Sequence, residues 1–339
     1  MKLNVLYACD DNYAPFAGVS ICSLLENNKE LEEITIYIAS ENISSENITL
    51  LHKQVKKYGD KRLLKVIDKS QFSEQLESFN KTRFRGSFAA YYRIFLEKII
   101  DDDVDRLLYL DCDTLVVDDL RSLLALDFNN KTVAAVIDVT STIIQDTRFS
   151  KDNNVKEKER YKPYFNSGVI LFNIPNWKKN NYTTRLLNLL EHDDTNFPDA
   201  DQGWLNKVLE DDFLILPPKY NLVPLHLVYK DELYLKYLPA DYYYSTHELE
   251  DARQNPVVLH TNHFLNQHPW SKNSLHPSRA IYDKYLNKSE WATMGKKENV
   301  GLIYMIERIL YRILPKSLFF PLFISILYKY AMLKQRKFN

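Results

Sequence analysis

The chain has 339 residues, 45% of them hydrophobic, with 44 Lys plus Arg against 45 Asp plus Glu and a formal net charge of −1. A chain of this size and composition can bury a large core, and its balanced charge gives no overall electrostatic reason to expect nucleic acid as a partner. The three cysteines, Cys9, Cys22 and Cys112, show neither a CxxC pair nor a zinc-type spacing with histidine, so they read as small buried residues in a reducing compartment.

The first run, "LNVLYA" (3–8), is strand-like, and the acidic pair at 10 and 11 follows before a secretory apolar region could reach useful length. This predicts no signal peptide and a cytoplasmic location. A helical pattern follows in "YAPFAGVSICSLLENN" (13–28), with Phe16, Val19 and Leu24 on its apolar face. Further strand-like runs are "ITIYIAS" (34–40), "LLKVID" (63–68), "RLLYLD" (106–111), "VAAVID" (133–138) and "GVILFN" (168–173). Several are apolar almost throughout, as strands covered on both faces are. Their alternation with helical segments predicts an α/β fold, a mostly parallel sheet with helices on both faces.

Ligands of such sheets bind beyond the carboxyl ends of the strands, which singles out "ACDDNY" (8–13), "DCD" (111–113) and "VVLHTNH" (257–263). Only 7 glycines occur, without GxGxxG or a P-loop. A phosphate cradle of bare backbone N–H groups is therefore not expected, and a bound diphosphate would need side chains and a metal to neutralise it. Asp111 and Asp113, at i and i+2, are expected on one side of an extended strand end, where both can face one hard cation. The same spacing also occurs in plain turns and helix caps.

Five motifs in order extend this reading: "ACDDNY", "YLDCDTLV", "YFNSGVILFN" (164–173), "DADQGWLN" (199–206) and "PVVLH" leading to "HPW" (268–270). Together, over about residues 3 to 270, they resemble the retaining glycosyltransferases of family 8, which include the bacterial lipooligosaccharide galactosyltransferases and glycogenin. The resemblance implies a GT-A type, Rossmann-like sheet in a nucleotide-sugar domain over 1–275. It implies a UDP-sugar donor, UDP-glucose or UDP-galactose, with Mn²⁺ or Mg²⁺ as the metal.

By the same resemblance Asp10 and Asn12 contact the nucleobase and ribose, and Arg93, in "SFAAYYRIFL", lies near the donor phosphate and sugar. Asp111, Asp113 and His260 are the metal ligands, whereas Cys112 is a spacer pointing into the core. Asn166 and Ser167 line the sugar pocket, and Asp201 and Gln202 meet the donor hexose. An amide is a poor nucleophile, so the reading for Gln202 is support of a front-face, ion-pair-like departure. The pattern departs from relatives after His260. Ten residues separate it from Trp270 where relatives have eight, the glycine is absent, and His268 replaces a lysine, which makes His263 a rival metal ligand.

Two other classes remain: nucleotidyl transfer, which predicts a basic or Gly-rich triphosphate loop where "ACDDNY" is acidic, and a non-catalytic nucleotide- or glycan-binding protein on the same fold. The acceptor, a glycan, glycolipid or glycoprotein, is expected between the sheet edge and an irregular aromatic flap over 220–250. Residues 276–339 read as a helical extension. From 296 onward nine basic and two acidic residues are interleaved with Leu, Ile, Phe and Tyr. The longest uncharged run there, Ser317 to Tyr328, is 12 residues, whereas spanning a bilayer takes about 20. Peripheral contact with an anionic inner membrane face is the expectation.

Overall fold

The computed structural model describes residues 1–84, 86–140, 163–193, 200–237, 243–295 and 301–337. Its strands are β1 (Lys2–Asp10), β2 (Glu33–Glu41), β3 (Arg62–Asp68), β4 (Arg106–Leu110), β5 (Thr114–Val116), β6 (Val133–Ile137), β7 (Phe165–Asn173), β8 (Phe213–Ile215) and β9 (Val258–His260). Seven form the central sheet in the order β3-β2-β1-β4-β7-β6-β8, and β5 pairs with β9 in a second, two-stranded sheet. All neighbours in the central sheet are parallel except β7, which runs antiparallel to both β4 and β6.

The apolar runs are explained by cover on both faces. Along β1, Leu3, Val5, Tyr7 and Cys9 enter one core cluster, while Leu6 and Ala8 enter the other. Alternate side chains thus feed opposite layers, and each fully buried aliphatic side chain contributes roughly 1.5–3 kcal/mol of hydrophobic stabilisation. Helix α1 (Ala14–Asn27) covers the first face, entered through Pro15. Gly18 is required there, because a Cβ would fall 1.9 Å from the Trp291 ring.

That contact ties the chain beyond residue 275 to the sheet. Tyr282, Tyr285, Leu286, Trp291, Phe319, Phe320 and Ile324 belong to the same core cluster as β1. The last two helices, Leu302–Ile313 and Lys316–Lys337, nevertheless leave apolar groups in solvent. Ile306, Ile309 and Ile313 make an exposed stripe on the first, with Ile313 72% exposed, and Leu318, Leu322 and Ile326 are exposed on the second. Among the described residues no helix is long and apolar enough to cross a membrane. Lys296 and Lys297, part of the basic count, lie outside the described residues.

The flap expected to be irregular over 220–250 is helical where described, in Pro224–Val228, Asp231–Tyr237 and Thr246–Gln254. The local reason is start signals that composition alone hides: Pro at the first turn of one, and a Ser245–Glu248 capping box on another. Within it His226 is buried, its Nε2 against the Tyr243 hydroxyl. Burial and the nearby Arg253 push the His226 pKa down to about 3, and burial lowers that of His276 to about 4 despite its bond to the Asn262 carbonyl.

Both values lie below the ordinary 6.5, so the unfolded chain binds these protons first as pH falls. Their stabilisation is complete above about pH 6.5 and is lost below it, at about 1.4 kcal/mol per pH unit for each histidine. Urea unfolding at about pH 7 and pH 5 is expected to show this loss. His226→Gln should make the profile shallower; an unchanged slope in that variant would contradict the assignment.

Candidate active site

The strand directions build the site. The carboxyl ends of β1, β4 and β6 share one edge, and the reversed β7 brings its N-terminal residues Asn166, Ser167 and Gly168 to that same edge. Leu110 pairs with Val169, and the Asp111 N–H then donates to the Gly168 carbonyl at 2.8 Å. The i, i+2 spacing leads one to expect Asp111 and Asp113 on one side of an extended strand end, but both lie beyond β4 and strand alternation does not bring them together. The chain turns after Leu110, with the Thr114 N–H donating to the Asp111 carbonyl at 3.1 Å, before β5 begins. Cys112, in the middle of that turn, is buried and lies 3.5 Å from the Ala8 carbonyl.

His260 arrives by the second sheet, in which it pairs with Thr114. Both the N–H and the hydroxyl of Thr261 donate to the Asp113 carbonyl, each at 2.7 Å, locking the end of β9 onto the aspartate turn. His260 Nε2 is consequently 3.3 Å from Asp113 Oδ1 and 3.9 Å from Asp111 Oδ2. Gly168 makes room for this cluster: a Cβ would stand 2.3 Å from His260 Cε1 and 2.9 Å from Asp111 Oδ2. Burial lowers the His260 pKa, but Asp113 and Asp111 outweigh it and hold it above the ordinary value.

Two carboxylates and one imidazole, with ligand atoms all within 4.8 Å of one another, fit a hard divalent cation that accepts some nitrogen, as Mn²⁺ does. The exposed His263 is outside this cluster. Its ring lies 3.9 Å from that of His268, which is stacked on Trp270 at 4.1 Å, which in turn is stacked on Phe16 at 4.0 Å. His268 is buried, with Nδ1 3.1 Å from the Thr261 carbonyl. This loop contains a tight turn between Phe264 and Gln267 in which Leu265 and Asn266 have φ of 51° and 52°. A leucine rarely adopts this left-handed conformation, and here its burial in the core holds it there.

A cleft of about 230 Å³ beside the cluster is lined by Asp10, Arg93, Asp111, Asp113, Ser167, Asp201, Gln202 and His260, among others. Asn12 is exposed, and neither it nor Asn166 nor His268 lines the cleft. Asp10 caps the turn into α1, accepting from the Tyr13 N–H at 3.0 Å. Arg93 is buried under the Tyr109 ring, bonded to the carbonyls of Ala90 and Ser167 and to Asp111 Oδ1, with Asp201 3.0 Å from its Nε. Burial opposes its charge, and Asp201 and Asp111 sustain it. Arg93 thus holds the two carboxylates in place.

Gln202 is oriented at both ends of its amide. Its Oε1 accepts from the Ser167 N–H at 2.9 Å, and its Nε2 donates to Asp138 Oδ2 at 3.3 Å. Asp138, Gly168 and Asn221 are parts of the site that the sequence reading passed over. Asp138 carried a usable signal, since it closes the run "VAAVID" as Asp111 closes "RLLYLD". Asn221 carried none, being 39 residues from the histidine it touches.

The sequence profile described as Glycosyl transferase family 8 matches residues 4–274. General stress protein A of Bacillus subtilis is 31% identical over 297 residues, covering 86% of this chain and 96% of that protein. A lipopolysaccharide 1,2-glucosyltransferase of Escherichia coli K12 is 28% identical, covering 90% of this chain and 84% of that one. Among solved structures, the galactosyltransferase LgtC in complex with donor and acceptor sugar analogs superimposes with a TM-score of 0.64 at 21% identity, over 89% of this chain and 99% of that one. The fold, the ordered motifs and the profile match agree: the chain belongs to glycosyltransferase family 8.

Proposed function

We propose that this glycosyltransferase moves a hexose, glucose or galactose, from a UDP-sugar to a glycan acceptor with retention of anomeric configuration, in the synthesis of a bacterial surface polysaccharide or a glycoprotein glycan. The observation that carries this reading is the convergence of Asp111, Asp113 and His260 beside Gln202 at one sheet edge. The names of its relatives, one a glucosyltransferase and one a galactosyltransferase, support the two candidate sugars.

Asp111, Asp113 and His260 would hold Mn²⁺ or Mg²⁺. When bound, the cation would neutralise the donor diphosphate and the charge of the departing UDP. Arg93 fixes Asp111 on the metal side and Asp201 on the sugar side from a single guanidinium. Gln202 presents an amide dipole whose direction Ser167 and Asp138 set, suited to stabilising positive charge at the anomeric carbon rather than attacking it. The acceptor hydroxyl would then enter on the face the phosphate leaves, passing its proton to that phosphate.

The test is UDP release by purified protein from a panel of UDP-sugars, with Mn²⁺ and with excess chelator. Release from a UDP-hexose that chelator abolishes is expected; a folded protein that binds no UDP in the presence of Mn²⁺ would overturn the reading.

The exposed stripe of Ile306, Ile309 and Ile313, flanked by exposed Arg312 and Lys316, supports a peripheral site at an anionic cytoplasmic membrane face. Cosedimentation with phosphatidylglycerol vesicles is expected, weakened by salt and by Ile309→Glu with Ile313→Glu. Equal recovery with neutral vesicles would contradict it.

A further inference from the structure

A chain of hydrogen bonds behind the metal-facing groups has a donor and acceptor order that leaves no choice of direction. Asp138 Oδ2 is a carboxylate oxygen and accepts, so the Asn166 Nδ2 that faces it at 2.8 Å donates. The Gly168 N–H donates to Asn166 Oδ1 at 3.0 Å, which fixes the same amide orientation independently. Asn221 must then turn its Nδ2 toward Asn166 Oδ1, at 2.8 Å, leaving its Oδ1 toward His260 Nδ1, at 2.9 Å. Asn221 is 1% exposed and Asn166 is held at both ends, so neither amide can flip without breaking two bonds.

We propose that Asn221 is a positioning residue that fixes the Nδ1–H tautomer of His260 and so turns the lone pair of Nε2 toward Asp111 and Asp113. The proposal rests on the reading of Asp111, Asp113 and His260 as a metal centre. Its physical content is competition between two tautomers. With the proton on Nε2, the imidazole would donate to Asp113 Oδ1, 3.3 Å away, and one interaction would occupy two prospective ligand atoms. With the proton held on Nδ1 by Asn221, Nε2 is a ligand and Asp113 keeps its oxygen for the cation. Asn221 does this from the segment that runs beside β9, where the His260 N–H donates to the Leu222 carbonyl at 3.0 Å. The ligand on β9 and its orienting group on the neighbouring segment are therefore held side by side by the backbone.

The experiment measures Mn²⁺ binding in the presence of UDP from the electron paramagnetic resonance signal of free Mn²⁺. The samples are wild-type protein, Asn221→Leu, Asn221→Asp and, as a control, Asp113→Asn. Asn221→Leu keeps the branched shape but removes the acceptor, and is expected to weaken Mn²⁺ binding about 10- to 100-fold. Asn221→Asp keeps an acceptor for Nδ1–H while setting an oxygen against Asn166 Oδ1, and is expected to bind Mn²⁺ as tightly as wild type or tighter. This variant separates tautomer control from support of Asn166, and it decides the matter if the leucine variant does not fold. Mn²⁺ binding kept in Asn221→Leu, or lost about tenfold or more in Asn221→Asp, overturns the proposal. Wild-type protein that binds no Mn²⁺ overturns the metal reading itself, whereas binding lost in Asp113→Asn but kept in Asn221→Leu overturns only the role of Asn221.

Discussion

Replacing Asp113 with asparagine is expected to lower Mn²⁺-dependent UDP release by about 10³-fold, the loss of roughly 4 kcal/mol of charge stabilisation. The substitution is nearly isosteric, and what anchors this turn to β9 is the Asp113 main-chain carbonyl, which accepts both bonds from Thr261. The fold should therefore survive while the facing charge disappears. His260 would also face a neutral amide where a charged carboxylate oxygen now stands 3.3 Å from its Nε2. Thermal unfolding alongside the rate measurement checks both halves of the claim. A rate within about tenfold of wild type would show that Asp113 does not carry the chemistry assigned to it.

Gly168→Ala is the second large effect, and it acts without removing any ligand. The new methyl group would lie 2.3 Å from His260 Cε1, 2.8 Å from its Nδ1 and 2.9 Å from Asp111 Oδ2, far inside van der Waals contact. The imidazole is flanked by Asn221 and Asp113, and Asp111 is tied to Arg93 and Tyr109. Relief therefore has to come from moving the groups meant to share a cation. Overpacking costs about 1–3 kcal/mol of stability, and a displacement of about 1 Å at a reacting centre can cost about 10²-fold in rate. The expected outcome is a folded protein with UDP release down by about 10²-fold and weaker Mn²⁺ binding. Normal Mn²⁺ binding in this variant would mean that the three groups do not act as one centre.

What was readable in the sequence is what local pattern determines. The runs "LNVLYA" and "ITIYIAS" are buried on both faces because their alternate residues enter two cores, and that leaves an apolar strand that can be recognised without its neighbours. The reversal of β7 was not readable. Direction depends on which strands pair, and "GVILFN" looks the same parallel or antiparallel. Yet that reversal is what sets Ser167 and Gly168 beside Asp111. Strands β5 and β8, of three residues each, are too short to carry a period. The paired aspartates could be found by spacing, but their convergence comes from a turn and not from strand alternation. Asn221 enters only through contacts across the fold, 39 residues from the histidine it holds, whereas Asp138 could have been picked out as the carboxylate closing "VAAVID". The loop after His260 stood out as a departure from relatives, but that His268 would stack between His263 and Trp270 depends on where α1 places Phe16.

The most direct measurement is anomalous diffraction from crystals of the protein grown with Mn²⁺ and UDP. The account predicts one anomalous peak bounded by Asp113 Oδ1, Asp111 Oδ2 and His260 Nε2, with UDP density running from it along the cleft past Asp10. UDP bound with no anomalous peak among these three side chains, or with the metal held elsewhere, would contradict it.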